Sequence, residues 1–582
     1  MIKPIPLFLV FLYVFQGLSG QQDPNDDLGV QEVTVVRSYS PNLQNVFKIR
    51  TEPQIEDSLT QKQQKVTYTF DPVPVVSTFI PNKASPLKLQ KQESSSPSNS
   101  YFSGGFGMPS QLQLDFSSTV PLDRNQSIGL KLFYHGVGAI DNTRLSSDQK
   151  RTALHMLHQY KQNRMRVDSD LKFDRQHHNF FGLYDLNWEN IPSFRANLID
   201  PSQNLNYLSI RTHWQWYDSP LTHAQLNTRI TTDRFDSNEH WININAQLRL
   251  PILDHYMALI PELDLVNTNF VRGYYDPEAL SYQKGLAGVT FKFFNRDKPL
   301  NYSLGARGYY PFGGPEAAAG FFVFPTLAIS YRLPNAKIEP FLDYQGRYEL
   351  NSYTAFSLQN PYLAPAIHMA DTQYKHQGEI GFHAHPGSGL TFKLYVQYSQ
   401  VDHFPLFKRL PYVHNNNDIP YRLGNAYEVI YDNMNQMGII TALQMRFSEY
   451  NKISLETRYF EYQRAGDLKA WNLPKLSLEV QGNFRLAKRF FIQLNGQFMG
   501  KRESQKYNIT PLQDQNDAFA TLETLPSVFS VASEITWKIS DHWDVFYENH
   551  LYLGDSTSRW AYYLNQQQLH LGGVRYKFNI NL

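Results

Sequence analysis

Long stretches of this sequence alternate strictly between apolar and polar residues, and this period of two constrains the fold more than any other feature. In "WININAQLRL" the side chains of Ile242, Ile244, Ala246, Leu248 and Leu250 alternate with Asn243, Asn245, Gln247 and Arg249. Successive side chains of a strand point to opposite faces, so this segment predicts a strand with one apolar and one polar face. The pattern recurs at residues 391–399, 475–486, 491–499, 531–539 and 569–582.

The length of these segments decides between two all-β architectures. Strands of a soluble sandwich usually run about 5–6 residues, whereas these run roughly 9–12, the length that a tilted strand needs to cross a bilayer. A closed barrel also leaves no unpaired strand edge. We therefore predict a transmembrane antiparallel β-barrel over residues 105–582. About 22 such segments can be counted, which predicts a barrel of roughly 16–22 strands ending on the alternating segment that closes at Leu582.

The amino-acid composition excludes several functional classes of protein. The chain has no cysteine, which excludes disulfides, thiolate zinc sites and a lipid-modified cysteine. Its 54 lysine and arginine residues nearly balance 53 aspartate and glutamate residues, and no basic stripe indicates a nucleic-acid partner. No G-x-S-x-G motif and no phosphate-binding or dinucleotide glycine loop is present. We predict that the protein is not an enzyme and has no cofactor.

The N-terminal region differs from the rest of the chain. Residues 1–20 combine Lys3, a short apolar run and small residues, which is the layout of a secretory signal peptide. Residues 21–104 are polar, interrupted by prolines, and end in the low-complexity stretch "QKQESSSPSNS". Since proline removes a ladder donor, these residues predict an extended periplasmic or lumenal leader and not the central strands of a sheet.

Within this leader, "EVTVVRSYSPNLQNVFKI", "PQIEDSL", "VTYTF" and "VVSTFIPNKA", followed by "YFSGGFG" at the start of the barrel, resemble the TonB-dependent-receptor-like outer-membrane proteins of the Bacteroidota. The resemblance implies an outer-membrane location in a Gram-negative cell and a transport-related function. It also implies a TonB box, the segment that a periplasmic TonB-type protein binds, at Glu32, Val33, Thr34, Val35 and Val36. Pairing of such an extended peptide with a partner sheet is β-augmentation. An ordinary strand in the lumen or at the periplasmic rim is the alternative for these five residues.

One departure from that family leaves alternatives open. Its transporters carry a globular plug between box and barrel, whereas here the interval is short and broken by prolines, so we predict no full plug. The chain could then be a receptor-like transporter, a passive porin, or a structural or assembly subunit that docks a lipoprotein or another barrel in the membrane lipid.

Two further predictions concern connections and metal ligands. The short "HPGSG" (His385–Gly389) predicts a turn, and residues 145–163, 402–425 and 501–526 predict long outer loops, the first with a short helix capped by Ser146 or Ser147. Glu379, His383 and His385 would share a strand face and could hold a divalent ion. We favour the simpler interpretation, polar groups that face the lumen near a turn, and predict no metal site.

Overall fold

The structure is a computed structural model that describes Thr67 and residues 98–581, apart from residues 185–197, 297, 315–319, 335, 414–418, 465, 467–468, 509–518 and 555–556. The predicted signal peptide, the TonB-box-like residues Glu32–Val36, nearly all of the leader and Leu582 lie outside the described residues. The chain divides into two compact units, Met1–Gln92 and Glu93–Leu582, and the description below concerns the second. No helix in the described part of the chain is long and apolar enough to cross a membrane.

The second unit is a closed antiparallel barrel of 22 strands, as the alternation predicted. Each barrel strand pairs with the next barrel strand along the chain, and the last strand pairs with the first from Ser100↔Phe578 to Met108↔His570. Two further strands, β20 and β21, form a separate hairpin. The strands are β1 Ser100–Met108, β2 Gln111–Pro121, β3 Gln126–Val137, β4 Gln149–Gln162, β5 Met165–Asn179, β6 Ser202–Trp216, β7 Leu221–Thr232, β8 Asn238–Ile252, β9 His255–Phe270, β10 Leu280–Phe294, β11 Leu300–Gly313, β12 Phe322–Tyr331, β13 Ile338–Glu349, β14 Thr372–Gly387, β15 Leu390–Arg409, β16 Tyr427–Arg446, β17 Lys452–Arg464, β18 Leu476–Ala487, β19 Phe490–Met499, β20 Arg502–Asn508, β21 Phe519–Leu525, β22 Val528–Lys538, β23 Trp543–Leu553 and β24 Gln568–Phe578.

The barrel includes the last residues assigned to the leader, because β1 begins at Ser100. Glycines on both strands let β1 and β24 approach closely where the barrel closes. A Cβ atom on Gly573 would lie 2.5 Å from the carbonyl oxygen of Gly104, closer than real Cβ atoms approach a neighbour. The "YFSGGFG" and "LGGVRY" segments are thus the two sides of the closing seam.

The two faces of each strand have opposite environments. On β8, Ile242, Ile244 and Leu248 are exposed on the outer surface, while Asn243 and Asn245 point into the lumen and are partly buried. Apolar side chains on the outside and polar ones inside are the pattern of a barrel whose wall meets lipid. The predicted amphipathic strands therefore have the orientation that the membrane hypothesis requires.

Connections differ between the two ends of the barrel. At one end, the short-turn end, all are short: 122–125, 163–164, 217–220, 253–254, 295–299, 332–337, 388–389, 447–451, 488–489 and 539–542. The other end, the long-loop end, has two short connections, 109–110 and 233–237, and nine longer ones: 138–148, 180–201, 271–279, 314–321, 350–371, 410–426, 465–475, 500–527 and 554–567. The predicted turn at His385–Gly389 is confirmed, and the stretch predicted as a loop at 501–526 contains the β20–β21 hairpin.

The prediction of a long loop with a helix at 145–163 is wrong, because Gln149–Gln162 form β4, which pairs with β3 and β5 along its length. Apolar residues at both Leu154 and Leu157 fall at a helical spacing and mask the alternation. Pairing with strands on both sides from Lys150 to Tyr160 gives this segment ladder partners that an isolated helix turn would lack at its ends. The predicted loop at 402–425 is partly strand, since β15 continues to Arg409.

A lidded lumenal compartment as candidate functional site

Connections at the long-loop end pack together into one buried core, which we call the lid. The lid consists of residues 180–184, 350–371, 410–413, 419–426 and 557–567. The sequence of these segments is rich in aromatic residues, such as "FFGLY" and "WAYY". Its fully or nearly fully buried side chains include Phe180, Tyr184, Tyr353, Phe356, Tyr362, Ile367, Leu410, Tyr421, Leu423, Trp560 and Tyr563.

Two rings at the centre of the lid join segments that are far apart in sequence. The rings of Tyr362 and Tyr563 stack with centroids 3.4 Å apart, and Phe181 meets Tyr563 edge-on at 5.0 Å. Burial raises the pKa of Tyr563 well above its ordinary value, so its hydroxyl stays protonated and donates to the carbonyl of Asn425. The lid is therefore packed as a protein interior is packed, and its segments are not independent loops.

The guanidinium of Arg409 ties three lid segments together and is completely buried. Its Nε donates to the carbonyl of Gly424 at 2.5 Å, and its Nη2 donates to the carbonyl of Gly182 at 2.6 Å. A longer contact of 3.4 Å joins Nη1 to the carbonyl of Ala561. The same group stacks on the rings of Tyr184 and Tyr562, 3.8 and 4.4 Å from the ring centroids. Arginine suits this position because its planar fork offers several donors and a stacking face at once.

A short helix, α1 (Tyr353–Gln359), lies in the lid and is anchored to the barrel wall. Ser352 caps it by accepting from the backbone N–H of Ala355. The carboxylate of Glu239, at the start of β8, is 1% exposed and accepts from the backbone N–H groups of Tyr353 at 2.6 Å and Thr354 at 3.0 Å. It also accepts from the hydroxyls of Thr354 and Thr268. A negative charge is stabilised at this end of a helix, where backbone N–H groups lack partners within the helix.

A second carboxylate near α1 belongs to the 233–237 connection. Asp233 accepts from the hydroxyl of Tyr353 at 3.0 Å and from the backbone N–H groups of Phe235 and Ser237, each at 2.8 Å. Burial raises the pKa of Asp233. One carboxylate from the 233–237 connection and one from β8 thus fix the start of α1 and its first side chain.

The far end of the same lid segment is fixed by an ion pair. The Nζ of Lys284, on β10, lies 2.6 Å from Oδ1 of Asp371, and both side chains are almost fully buried. The same Nζ donates to the carbonyl of Asn351 at 3.0 Å. Since Asn351 precedes α1 and Asp371 ends the segment, one lysine holds both ends of the 350–371 connection.

Beneath the lid lies a lumenal compartment bounded by lid and wall residues together. A cavity of 590 Å³ has Tyr362, Trp560 and Tyr563 of the lid on one side and Glu456 and Glu479 of the wall on the other. Further cavities of 450 and 400 Å³ adjoin the lid elsewhere. Pockets of this size suit small organic ligands. Burial lowers the pKa of Arg559, a lid residue that lines the largest of these three cavities.

The residues predicted for a site lie elsewhere. Glu379 and His383, on β14, line a different lumenal cavity of 640 Å³, while His385 is exposed near the turn at 388–389. Among the described residues there is no group of three or more histidine, aspartate or glutamate side chains placed to hold a metal ion. The anchors Arg409, Glu239 and Lys284 were missed, because charged residues within strands predict only a lumen-facing position.

Comparison with known proteins establishes the fold. No protein-family model matches the sequence, and no curated protein matches it. Solved structures do match. The siderophore receptor PirA from Acinetobacter baumannii is 11% identical, with 82% of this chain and 80% of that chain covered and a TM-score of 0.58. The pyoverdine outer membrane receptor FpvA from Pseudomonas aeruginosa PAO1 is 11% identical, with 83% and 79% covered and a TM-score of 0.59. The FrpB iron transporter from Neisseria meningitidis is 9% identical, with 82% and 81% covered and a TM-score of 0.57.

Proposed function

We propose that this protein is an outer-membrane uptake receptor whose lid keeps the lumen closed until a ligand binds and energy is supplied from the periplasm. The barrel has the fold of outer-membrane siderophore receptors and an iron transporter. The observation that carries the proposal is the lid. A passive porin needs an open mouth, whereas here buried anchors hold packed aromatic segments over a polar lumen.

The periplasmic partner in this proposal is a TonB-type protein that binds Glu32–Val36. We also propose that residues 21–104, as far as the start of β1, are an extended periplasmic or lumenal leader and not a full plug, with the Bacteroidota as the source that the leader motifs indicate. Binding through Glu32–Val36 would use backbone pairing, which is why a run of β-branched residues suits it. An energy-coupled receptor needs such a contact, and a porin does not.

Replacing Val35 with proline should weaken binding of the leader to the periplasmic domain of a TonB protein. Proline removes one backbone donor and restricts φ, so the peptide can no longer extend the partner sheet. A peptide of residues 28–50 would be titrated by calorimetry, and we expect at least a tenfold loss of affinity, equal to about 1.4 kcal/mol. The matched control is Asn45→Pro, outside the box. Equal affinities for Val35→Pro and the original peptide would contradict coupling through this segment.

Single-channel conductance in a planar bilayer tests the closed lumen. We expect no steady current from the mature protein, and current from a chain that lacks residues 21–92 and carries Arg409→Ala. The truncation ends before residue 93 because the barrel unit begins there. Testing each change alone shows whether the leader or the lid closes the pore.

Two results of the conductance experiment would overturn the proposal. Steady current from the unmodified protein would overturn the proposal and indicate a porin. Silence from the truncated Arg409→Ala protein would also overturn it and indicate a structural or assembly subunit.

A further inference from the structure

The wall of the barrel contains one weakly paired line, between β12 and β13. Their ladder consists of four residue pairs and stops at Leu327↔Tyr344. Every other pair of neighbouring wall strands in the described part of the chain has a longer ladder. Residues 322–326 of β12 and 345–349 of β13 therefore adjoin at the long-loop end without a ladder, and we call this stretch the unpaired seam.

A proline and a glycine explain why the ladder stops. The N–H of Leu333 donates to the carbonyl of Ile338, on the β13 side. Amide groups of a strand point to alternate neighbours, so the amide at position 325, like the one at position 333, faces β13. Proline has no N–H to donate there. In the same register Pro325 would lie opposite Gly346, which also lacks a ladder partner in β14 because the register shifts at this residue.

Apolar side chains close the unpaired seam in place of backbone hydrogen bonds. Leu286 of β10, Tyr309 of β11 and Phe324 of β12 are buried in one cluster with Tyr348 of β13. The ring of Phe324 lies against the backbone of Gly346, on the other side of the seam, where any side chain would collide with it. Apolar contacts are not directional, so the two strands can separate here without breaking a ladder.

A buried ion pair spans the seam on its lumenal side. Lys284 is on β10, on one side of the seam, and its Nζ lies 2.6 Å from the carboxylate of Asp371, which directly precedes β14 on the other side. The hydroxyl of Tyr348 donates to the same carboxylate at 3.4 Å. Both charged side chains are almost fully buried, so removal of either would leave an uncompensated charge. This ion pair is therefore the strongest polar contact across the seam.

The unpaired seam separates two apolar environments. On its outer side Val323 is 60% exposed, as the lipid-facing side chains of a membrane barrel are. On its inner side Leu286 and Tyr348 also line the cavity of 450 Å³ beneath the lid. The charged residues of the seam, Arg347 and Glu349, are paired with each other at 2.5 Å. A thin layer of mostly apolar side chains thus lies between the lipid and this cavity.

We propose that the unpaired seam is a lateral gate, which the Lys284–Asp371 ion pair holds shut and which, once released, admits a hydrocarbon chain of a membrane lipid to the cavity of 450 Å³. An alkyl chain suits this path because it requires no hydrogen bond and gains from apolar burial. The inference goes beyond uptake through the lumen, since it gives the wall an opening toward the membrane. Because Asp371 ends the lid segment 350–371, release of that end of the lid also opens the gate.

Photolabelling from the lipid phase tests the gate. The mature protein would be reconstituted in vesicles of phosphatidylcholine whose acyl chains carry a diazirine, irradiated and digested, and the adducts would be located by mass spectrometry. The readout is labelling of Phe324, buried behind the seam, relative to Phe341, which faces the lumen in the paired half of the same two strands. In Lys284→Met we expect labelling of Phe324 to rise at least tenfold while labelling of Phe341 stays constant.

Three further variants test whether the effect belongs to the seam. Pro325→Val supplies the missing amide, so combining it with Lys284→Met should return labelling to the level of the unmodified protein. Lys393→Met removes another lumen-facing lysine, which lies over an aromatic ring, and should change nothing. Asp371→Asn removes the same ion pair at constant volume and replaces Lys284→Met as the test if that variant does not give a folded barrel, as judged by heat-modifiable migration on a gel.

Labelling of Phe324 that rises when the ion pair is removed and falls again with Pro325→Val would support the gate. No rise, an equal rise at Phe341, an equal rise in Lys393→Met, or a rise that Pro325→Val does not reverse would overturn it.

Discussion

Replacing Arg409 with alanine is expected to release the lid while the barrel wall stays folded. The substitution removes the donors of the Gly424 and Gly182 carbonyls and the group stacked between Tyr184 and Tyr562. Two buried carbonyls without partners, together with the lost stacking, should destabilise the lid by about 3–5 kcal/mol. Hydrogen exchange of lid peptides should then rise by at least two orders of magnitude, since each 1.4 kcal/mol corresponds to a factor of ten.

A conservative variant and a control variant show whether the effect is specific to the Arg409 guanidinium. Arg409→Lys keeps the charge but has neither the planar fork nor the stacking face, so we expect an intermediate loss of protection. Arg489→Ala removes an exposed arginine from the 488–489 turn and should leave the lid unchanged. Equal protection of lid peptides in Arg409→Ala and Arg489→Ala would show that Arg409 does not hold these segments.

Replacing Glu239 with alanine should destabilise the lid by a similar free energy. The loss should appear first in the 350–371 segment. Two helix N–H groups and two hydroxyls lose their common acceptor in a site closed to water. We expect a loss of about 3–5 kcal/mol in the stability of α1, measured as hydrogen exchange of peptides that cover residues 350–371.

The isosteric change Glu239→Gln separates charge from shape. The backbone N–H groups of Tyr353 and Thr354 donate to different oxygens of Glu239, so glutamine would place its NH₂ group against one of these donors, and this variant should also lose stability. Glu449→Ala, in the exposed 447–451 turn, is the matched control. If Glu239→Gln kept full protection of α1, the anchor would depend on packing and not on the carboxylate.

The wall of the barrel was predictable because each strand carries its own evidence. The alternation in β8 or β18 specifies which side chains face the lumen, whatever the partner strand is. Prediction failed for β4, where apolar residues on both faces imitate a helix and only the pairing with β3 and β5 resolves the segment.

The lid was not predictable, since its contacts join residues that no local pattern relates. Arg409 donates to residues 227 and 152 positions away, Gly182 and Ala561, and Glu239 accepts from residues 114 and 115 positions away. A glutamate at the end of an alternating strand predicts a lumen-facing charge and no particular partner.

The sequence by itself determined a closed barrel with one apolar and one polar face, because side chains of a strand alternate between its two faces and most wall strands show this alternation. Only the tertiary structure decided that four distant connections close over the lumen as one packed lid. The physical reason is that burial of a charged or polar group is stable only with partners, and those partners are brought together by the folded chain.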